Sequence, residues 1–436
     1  MEILLIGSGA REHALAWKLS QSRHAERIFV APGNGGTASI SNCKNVLIAA
    51  DDLAELRRFA NESEVDLTVV GPEVPLVAGV VDEFVADGLQ IFGPSKAASQ
   101  LEGSKAYSKA FMNRHGIPTG WAEVFTDFES AADFVHDLDV LPVLKASGLA
   151  AGKGVLLPTS HYEAVEQLRV MMVERRFGDA GTTVLIEERL QGPELSILAF
   201  CDGHDIRLMP AAQDHKRLLD GDGGPNTGGM GAFAPSPLAT QELLEEAERT
   251  VLRPALAGLA SEGSPYKGVL YAGLMLTELG PRVLEFNCRF GDPEAQVILP
   301  LLRSDLVELM QACIQGTLAQ NEPDWSQDSA VNVVMASGGY PEEYETGMRI
   351  SGLPEGSVND NGPYVFHAGT KLDKSSPASD SSNEKVFLTD GGRVLSVTAT
   401  GTDFAKAVKE AYRAVDHIAF EGAVWRTDIG LNAAQQ

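Results

Sequence analysis

The 436-residue chain is short of cysteine, of basic residues and of long apolar runs. Its four cysteines, at positions 43, 201, 288 and 313, lie far apart and form no C-x-x-C pair. That spacing excludes a disulfide framework and a cysteine zinc site, and predicts reduced thiols in a cytoplasmic protein. Lys and Arg number 35 against 60 Asp and Glu, a formal net charge of −25. A surface of that sign repels phosphate backbones and anionic lipids, so nucleic acid and membrane surfaces are excluded as partners. A phosphorylated ligand must then be captured locally, by lysines, arginines, backbone N–H groups and metal ions. No apolar run approaches the ~20 residues that span a bilayer. The opening Met1-Glu2-Ile3-Leu4-Leu5-Ile6-Gly7 lacks a basic leader and a small-residue cleavage site, and reads as a first strand. No Ser/His or Cys/His pairing suited to covalent catalysis stands out.

What is present is an ordinary globular composition, 44% hydrophobic and 22% charged. At roughly 150 residues per domain, the length predicts about three domains. Over the first hundred residues, short apolar runs at 3–6, 28–30, 46–48, 67–70 and 90–92 alternate with helical stretches. Such alternation predicts an open, mostly parallel α/β sheet, with ligands in the loops after the strand C-termini. Those loops carry Gly7-Ser8-Gly9-Ala10-Arg11-Glu12, Pro32-Gly33-Asn34-Gly35-Gly36, Gly71-Pro72-Glu73 and Gly93-Pro94-Ser95. A helix over 103–115 leads into two α+β pieces separated by a glycine-rich stretch at 221–231. Strands at 331–335, 364–368 and 393–398, then a helix from 403 to about 418, make a C-terminal α+β domain. The Ser/Asp-rich run 374–384 reads as a solvated loop tip. The expected class is therefore α/β and α+β multidomain, with boundaries at 1–103, 104–324 and 325–436.

Four motifs carry chemistry. In the first loop, glycines let the backbone approach a ligand and the helix N-terminus supplies N–H donors. A dinucleotide fingerprint wants Gly or Ala at its sixth position, whereas Glu12 stands there and would repel a pyrophosphate. A hydroxyl-bearing ligand such as a ribose, accepting from backbone N–H and donating to Glu12, fits better; a turn needed only for the fold is the plain alternative. The second motif is Leu144-Lys145-Ala146-Ser147-Gly148-Leu149-Ala150-Ala151-Gly152-Lys153-Gly154-Val155. A strand ends in a lysine, and a loop of three glycines with a second lysine can fold its N–H groups over a polyphosphate. It is not a P-loop, because Val155 stands where a magnesium-binding hydroxyl is needed. Third, the apolar strand Val184-Leu185-Ile186 runs into Glu187 and Glu188, with Glu194 after a turn; alone this is weak.

The fourth is Arg282-Val283-Leu284-Glu285-Phe286-Asn287-Cys288-Arg289-Phe290-Gly291-Asp292-Pro293. Strand alternation puts Glu285, Asn287 and Arg289 on one face and Leu284, Phe286 and Cys288 on the other. A carboxylate and an amide oxygen two residues apart suit an oxygen-ligated Mg²⁺ that also takes phosphate oxygens. Arg289 is placed to hold a carboxylate or phosphate bidentately. An amphipathic strand with one wet face is the alternative. Smaller features are Gln213-Asp214-His215-Lys216-Arg217 before the run 223–231, and Lys371 and Arg393 bracketing adjacent strands. The latter two suit a phosphate clamp or simple salt bridges, and a lone His215 is more often structural.

In this order the motifs resemble the ATP-grasp ligases, and within them the glycinamide ribonucleotide synthetase family. The matching stretches begin with Gly9-Ala10-Arg11-Glu12-His13-Ala14, Ala31-Pro32-Gly33-Asn34, Val70-Gly71-Pro72-Glu73 and Leu101-Glu102-Gly103-Ser104-Lys105-Ala106. They continue through 148–154, 213–217, 224–231, 285–293, 366–371 and 391–394. The resemblance implies an N-terminal substrate-binding α/β domain, a central ATP-grasp unit with a small lid over about 120–190, and a C-terminal domain. It implies ATP between lid and body, with Lys105 and Lys145 on the phosphates and Gly152, Lys153 and Gly154 closing over them. Glu187 and Glu188 then form the adenine-side edge, Glu194 accepts from the ribose, and Glu285 and Asn287 hold Mg²⁺ or Mn²⁺. Gly9, Glu12 and Glu73 meet the sugar of 5-phosphoribosylamine, Lys371 and Arg393 its phosphate, and Arg289 and Asp214 glycine. Lys145, Arg289 and Asp214 are the expected catalytic residues. The implied reaction is ATP-dependent ligation of glycine to phosphoribosylamine through glycyl phosphate, in purine biosynthesis, by a cytoplasmic monomer or weak dimer. Two positions depart from the family's usual pattern: Ser147 replaces an Asp, and Arg189 a bulky apolar residue.

Overall fold

The computed structural model describes residues 1–150, 153–354, 362–373 and 385–435. The run 374–384 and Gly152, both singled out from the sequence, lie outside them.

Five strands, β1 (Glu2–Gly7), β2 (Arg27–Pro32), β3 (Cys43–Asn45), β4 (Leu67–Val70) and β5 (Ile91–Phe92), form one parallel sheet in the order β3-β2-β1-β4-β5. The β1 residues Ile3–Ile6 are buried on both faces, as a near-continuous apolar strand in a parallel sheet must be. The third strand lies earlier than the apolar run 46–48 implies. Val46 N–H still bonds the Val30 carbonyl of β2 at 2.9 Å, but Ile48 N–H turns back to the Val46 carbonyl at 2.8 Å, which ends the ladder there and leaves Leu47 93% exposed. Strand order reverses between β1 and β4, so the loops after them flank a crevice of the kind α/β sheets use for ligands.

The expected helix at 103–115 is two pieces, Gln100–Gly103 and Lys105–Arg114. Ser104 divides them because its hydroxyl caps the second helix, accepting from Tyr107 N–H at 3.2 Å. Beyond it, β6 (Ala122–Phe125), β7 (Val143–Ala146), β8 (Val155–Leu156) and β9 (Val184–Glu187) form a four-stranded sheet in the order β6-β9-β7-β8. The helices Phe128–Asp137 and His161–Met172 cover it, and Val135, Leu144, Leu168, Met171 and Ile186 make its own small core. This is a separate lid with a separate interior.

The chain then forms β10 (Glu194–Asp202), β11 (Ile206–Leu208), β12 (Gln213–Asp214), the hairpin β13 (Arg217–Leu219) and β14 (Gly223–Asn226), and β15 (Gly231–Ala234). Two long strands follow, β16 (Lys267–Thr277) and β17 (Gly280–Asn287), giving a sheet ordered β11-β10-β16-β17. The last strands are β18 (Ser329–Ala336), β19 (Arg349–Ile350), β20 (Tyr364–His367), β21 (Thr370–Leu372), β22 (Phe387–Thr389) and β23 (Arg393–Gly401). One sheet runs β12-β15-β18-β23-β20, so strands from the central region extend the C-terminal one. A smaller sheet runs β19-β22-β21. The helix Phe404–Val415 is capped by Asp403, which accepts from Lys406 N–H at 2.8 Å, and buries Ala407, Val408, Ala411 and Val415 along one stripe.

Candidate active site

A cavity of about 1140 Å³ opens between the lid and β17. Lys145, at the end of β7, sends its ammonium to the Glu187 carboxylate at 2.9 Å and the Leu284 carbonyl at 3.1 Å. Lys109 meets the same carboxylate at 3.2 Å. Glu187 is thus buried between two lysines on the cavity wall, and Glu188, accepting from Trp121 N–H at 3.2 Å, borders the same cavity with a freer carboxylate. Lys105 opens its helix on the cavity wall, its backbone N–H donating to the Ser147 carbonyl at 2.9 Å. The Ser147 hydroxyl accepts from Ala106 N–H at 3.2 Å, so this departure from the family pattern helps cap a helix. Arg189 donates to the Pro158 carbonyl at 2.9 Å, tying β9 to the loop after β8. Gly154 lines the cavity, whereas Lys153 is exposed.

The β17 face corrects the simple alternation expected there. The β16–β17 register slips between Gly273 and Leu274, pairing Gly273 with Glu285 and Leu274 with Val283, so Leu284 is an extra residue. Val283, Phe286 and Cys288 pack the core, while Leu284 joins Glu285 and Asn287 on the cavity wall. Burial works against the Glu285 carboxylate, but Lys216, Lys105, Lys145 and Arg289 around it hold its pKa below the usual range. Asn287 Oδ1 accepts from Arg289 at 3.0 Å. Arg289 also reaches Glu102 at 2.7 Å and Glu73 at 3.5 Å, and burial of its guanidinium is more than offset by those carboxylates.

At the end of β12, Asp214 shares Lys216 with Glu194: the ammonium lies 2.8 Å from Glu194 and 3.9 Å from Asp214. Burial, with Glu294 and Glu194 nearby, pushes Asp214 up to about 7, against the pull of Lys216. Lys216 is raised well above its ordinary value: burial opposes its charge, but Asp214, Glu194, Tyr271 and Glu285 favour it. Glu294 lines the same wall, accepting from the Tyr271 hydroxyl at 2.7 Å.

At the N-terminal end, Glu73 and Arg11 line the cavity. Gly9 donates its N–H to the Glu12 carboxylate at 2.5 Å, and Arg11 Nε reaches it at 2.6 Å, so Glu12 caps its own helix and is 2% exposed. Glu12 fills the crevice between the β1 and β4 loops so closely that a Cβ on Gly71 would stand 2.1 Å from its Oε1. Arg393 is on the wall, bound to Asp292 at 3.0 Å and to the Gly228 carbonyl at 2.6 Å. Lys371 is half-exposed, paired with Asp390 at 2.8 Å and away from the cavity lining. The two cations belong to different sheets and hold different partners.

Profiles of phosphoribosylglycinamide synthetase match along the chain: its N domain over residues 1–102, its ATP-grasp (A) domain over 103–295 and its C domain over 330–432. The chain belongs to the phosphoribosylglycinamide synthetase family. It is 51% identical over 434 residues to the phosphoribosylamine–glycine ligase of Allochromatium vinosum, covering 99% of each. It is 52% identical over 433 residues to the trifunctional purine biosynthetic protein adenosine-3 of Gallus gallus, and spans 42% of that protein's length. The crystal structure of phosphoribosylamine–glycine ligase from Thermotoga maritima superposes with a TM-score of 0.82 at 33% identity, covering 98% of this chain and all of that one. Sequence reasoning about this synthetase-family site missed Lys216, Lys109, Glu102 and Glu294. Each sits within or next to a quoted motif, but its partner lies on a distant segment, so only the fold reveals it. Among the described residues no helix is long and apolar enough to cross a membrane.

Proposed function

We propose that the chain joins glycine to 5-phosphoribosylamine, using ATP to activate the glycine carboxylate. The observation that carries this reading is a single cavity wall bearing Lys105, Lys145, Glu285, Asn287 and Arg289, with an acid-and-amine cluster at Asp214, Lys216 and Glu194 beside it. Lys105 and Lys145 suit the phosphates, the loop through Gly154 their cover, Glu188 the adenine edge and Glu194 the ribose. Glu187 serves through Lys145, which it anchors. Arg289 and Asp214 suit glycine, Glu73 and Arg11 the sugar, and Arg393 the phosphate end of the amine substrate.

The terminal phosphoryl group passes to a glycine carboxylate oxygen, breaking its bond to ADP and leaving an acyl phosphate. The amine nitrogen then attacks the acyl carbon, the C–O bond to phosphate breaks, and the nitrogen loses a proton as the amide forms. Fixed cations offset the charge on the moving group, and lid closure keeps water from the acyl phosphate. Glu285 and Asn287 fit a Mg²⁺ or Mn²⁺ ion, being hard oxygen donors, one of them held ionised by the surrounding lysines. When bound, such an ion neutralises phosphate charge. The domain limits that suit this reading are 1–103, 104–324 with the lid at 120–190, and 325–436, in a cytoplasmic monomer or weak dimer.

The test is glycine-dependent phosphate release from ATP with freshly made phosphoribosylamine. We expect turnover by the native chain and a loss of about 100-fold or more in Glu285→Ala, the scale of losing one electrostatic contact to the transition state. Phosphate release indifferent to glycine would overturn the ligase reading, and normal turnover by the variant would overturn the metal assignment.

A further inference from the structure

The C-terminal segment returns to the cavity, where Gly430, Asn432 and Ala433 form part of the wall. On its way it ties down the hairpin β13–β14, which begins one residue after Lys216. Arg426 is only 1% exposed, yet its guanidinium meets Asp222 Oδ1 at 2.7 Å and both oxygens of Asp428 at 2.7 Å. The same group donates to the Arg217 carbonyl at 3.2 Å. Thr427 donates its N–H to Asp220 at 2.8 Å and its hydroxyl to the same carboxylate, while Gly221 N–H reaches Asp428 at 2.9 Å.

At the other end of the hairpin, the Lys216 carbonyl accepts from Thr227 N–H at 2.7 Å and from the Thr227 hydroxyl at 2.9 Å. Lys216 is therefore held by backbone bonds on one side and by Arg426, through Arg217, on the other. The tip between β13 and β14, Asp220–Asp222, has no buried residue, so the hairpin has little apolar packing of its own there to set its position. A buried arginine is also a poor source of stability, because desolvation consumes much of its Coulombic gain. What it does supply is a fixed geometry.

We propose that Arg426 is a positioning residue for the reaction. Acting through β13–β14, it sets Lys216 against Glu194 and Asp214, so the C-terminal segment completes the cavity. This rests on the reading of the cavity as the site of phosphoryl transfer.

The test is the double substitution Asp220→Ala with Asp222→Ala in the full chain, both on exposed carboxylates. Arg426 keeps Asp428, so no buried charge is stranded. We expect kcat per folded enzyme to fall about tenfold, within the range that a small misplacement costs. The melting temperature should fall by no more than about 3 °C, the scale of losing one ion pair and two hydrogen bonds in a chain this long, and Asp222→Glu alone should retain activity. Lys216→Ala, assayed beside it, should lose at least as much. If the double variant and Arg426→Lys, which cannot reach Asp222, Asp428 and the Arg217 carbonyl together, both keep native kcat while Lys216→Ala loses it, the positioning proposal is overturned alone. If Lys216→Ala keeps native kcat, the reading of the cavity fails first. A fall in kcat fully accounted for by unfolded protein would also overturn the proposal.

Discussion

Acid should loosen the joint between the N-terminal helix and the C-terminal sheet through two buried histidines. His13 and His367 face each other at 5.5 Å between ring centroids, and both are 0% exposed. The His367 backbone N–H donates to His13 Nδ1 at 2.8 Å, His367 Nδ1 pairs with the Thr370 hydroxyl at 3.0 Å, and Nε2 of each ring has no partner among the described residues. Burial lowers His367 to about 3, and burial with the neighbouring His367 lowers His13 well below its ordinary value. In the unfolded chain a histidine binds its proton near pH 6.5, so between there and about pH 3 the unfolded state holds more protons. The contribution of the neutral ring is complete above pH 6.5 and is lost as the pH falls toward 3. At pH 5 the loss from His367 alone is about 2 kcal/mol, from 1.36 kcal/mol per unit over the roughly 1.5 units between 6.5 and 5. With an unfolding entropy of about 2.1 cal/mol/K per residue, that lowers the melting temperature of a chain this long by about 2 °C in a single transition. Calorimetry at pH 7.5 and 5.0 on the native chain and His367→Asn checks it. The variant should start lower, for lost packing, but drop about 2 °C less on acidification, since the carboxylates contribute equally to both. Equal drops would refute the argument. The same joint carries Asn34, whose side chain donates to the Ser8 carbonyl at 2.8 Å and the His367 carbonyl at 2.7 Å, so opening it disturbs the loops after β1 and β2.

Glu187→Gln should cut kcat/KM for ATP by about 100-fold, roughly 2.7 kcal/mol, because Lys145 loses the charged anchor that aims it and sits beside a second buried ammonium. Steady-state kinetics at varied ATP reads this, and an unchanged value would mean that Lys145 is held by the Leu284 carbonyl alone. Arg393→Lys should raise the KM for phosphoribosylamine about tenfold with the KM for ATP unchanged, since a lysine cannot span both Asp292 and the Gly228 carbonyl. Equal rises in both constants would place Arg393 in general packing rather than at the amine-substrate end.

The N-terminal sheet was readable because its strands are short apolar runs between helices of ordinary length, and parallel pairing leaves little choice in how such units stack. Only the third strand moved, because the apolar side chain of Ile48 is buried by a local turn and not by the ladder. The lid was readable as far as Lys145 and Glu187 on two of its strands, but their mutual contact was not. Their separation of 42 residues says nothing about pairing until β7 is seen beside β9. Glu12 shows the opposite case. Its position in a glycine-rich loop invited a ligand, and the structure gives it two partners within its own turn.

The cavity floor explains why alternation alone could not describe it. A regular β17 would place Leu284 in the core and leave its carbonyl in the ladder; the extra residue at that point exposes the carbonyl, and Lys145 takes it at 3.1 Å. The irregularity therefore does two things at once: it brings Leu284 onto the wall beside Glu285 and Asn287 and provides a neutral acceptor beside them for a lysine. Strand periodicity sees neither, because a bulge depends on the partner strand's register and not on the residues of one strand. Lys216 was hidden for a related reason. Three carboxylates and a tyrosine from β10, β12, β16 and β17 surround it electrostatically, and no two of those strands are adjacent in sequence except the last pair. A lysine followed by an arginine in a polar stretch looks like a solvated turn until those strands are folded onto it. Charge on this strongly acidic chain is thus informative less by its total than by where a cation has several carboxylates within reach, and that is a property of topology.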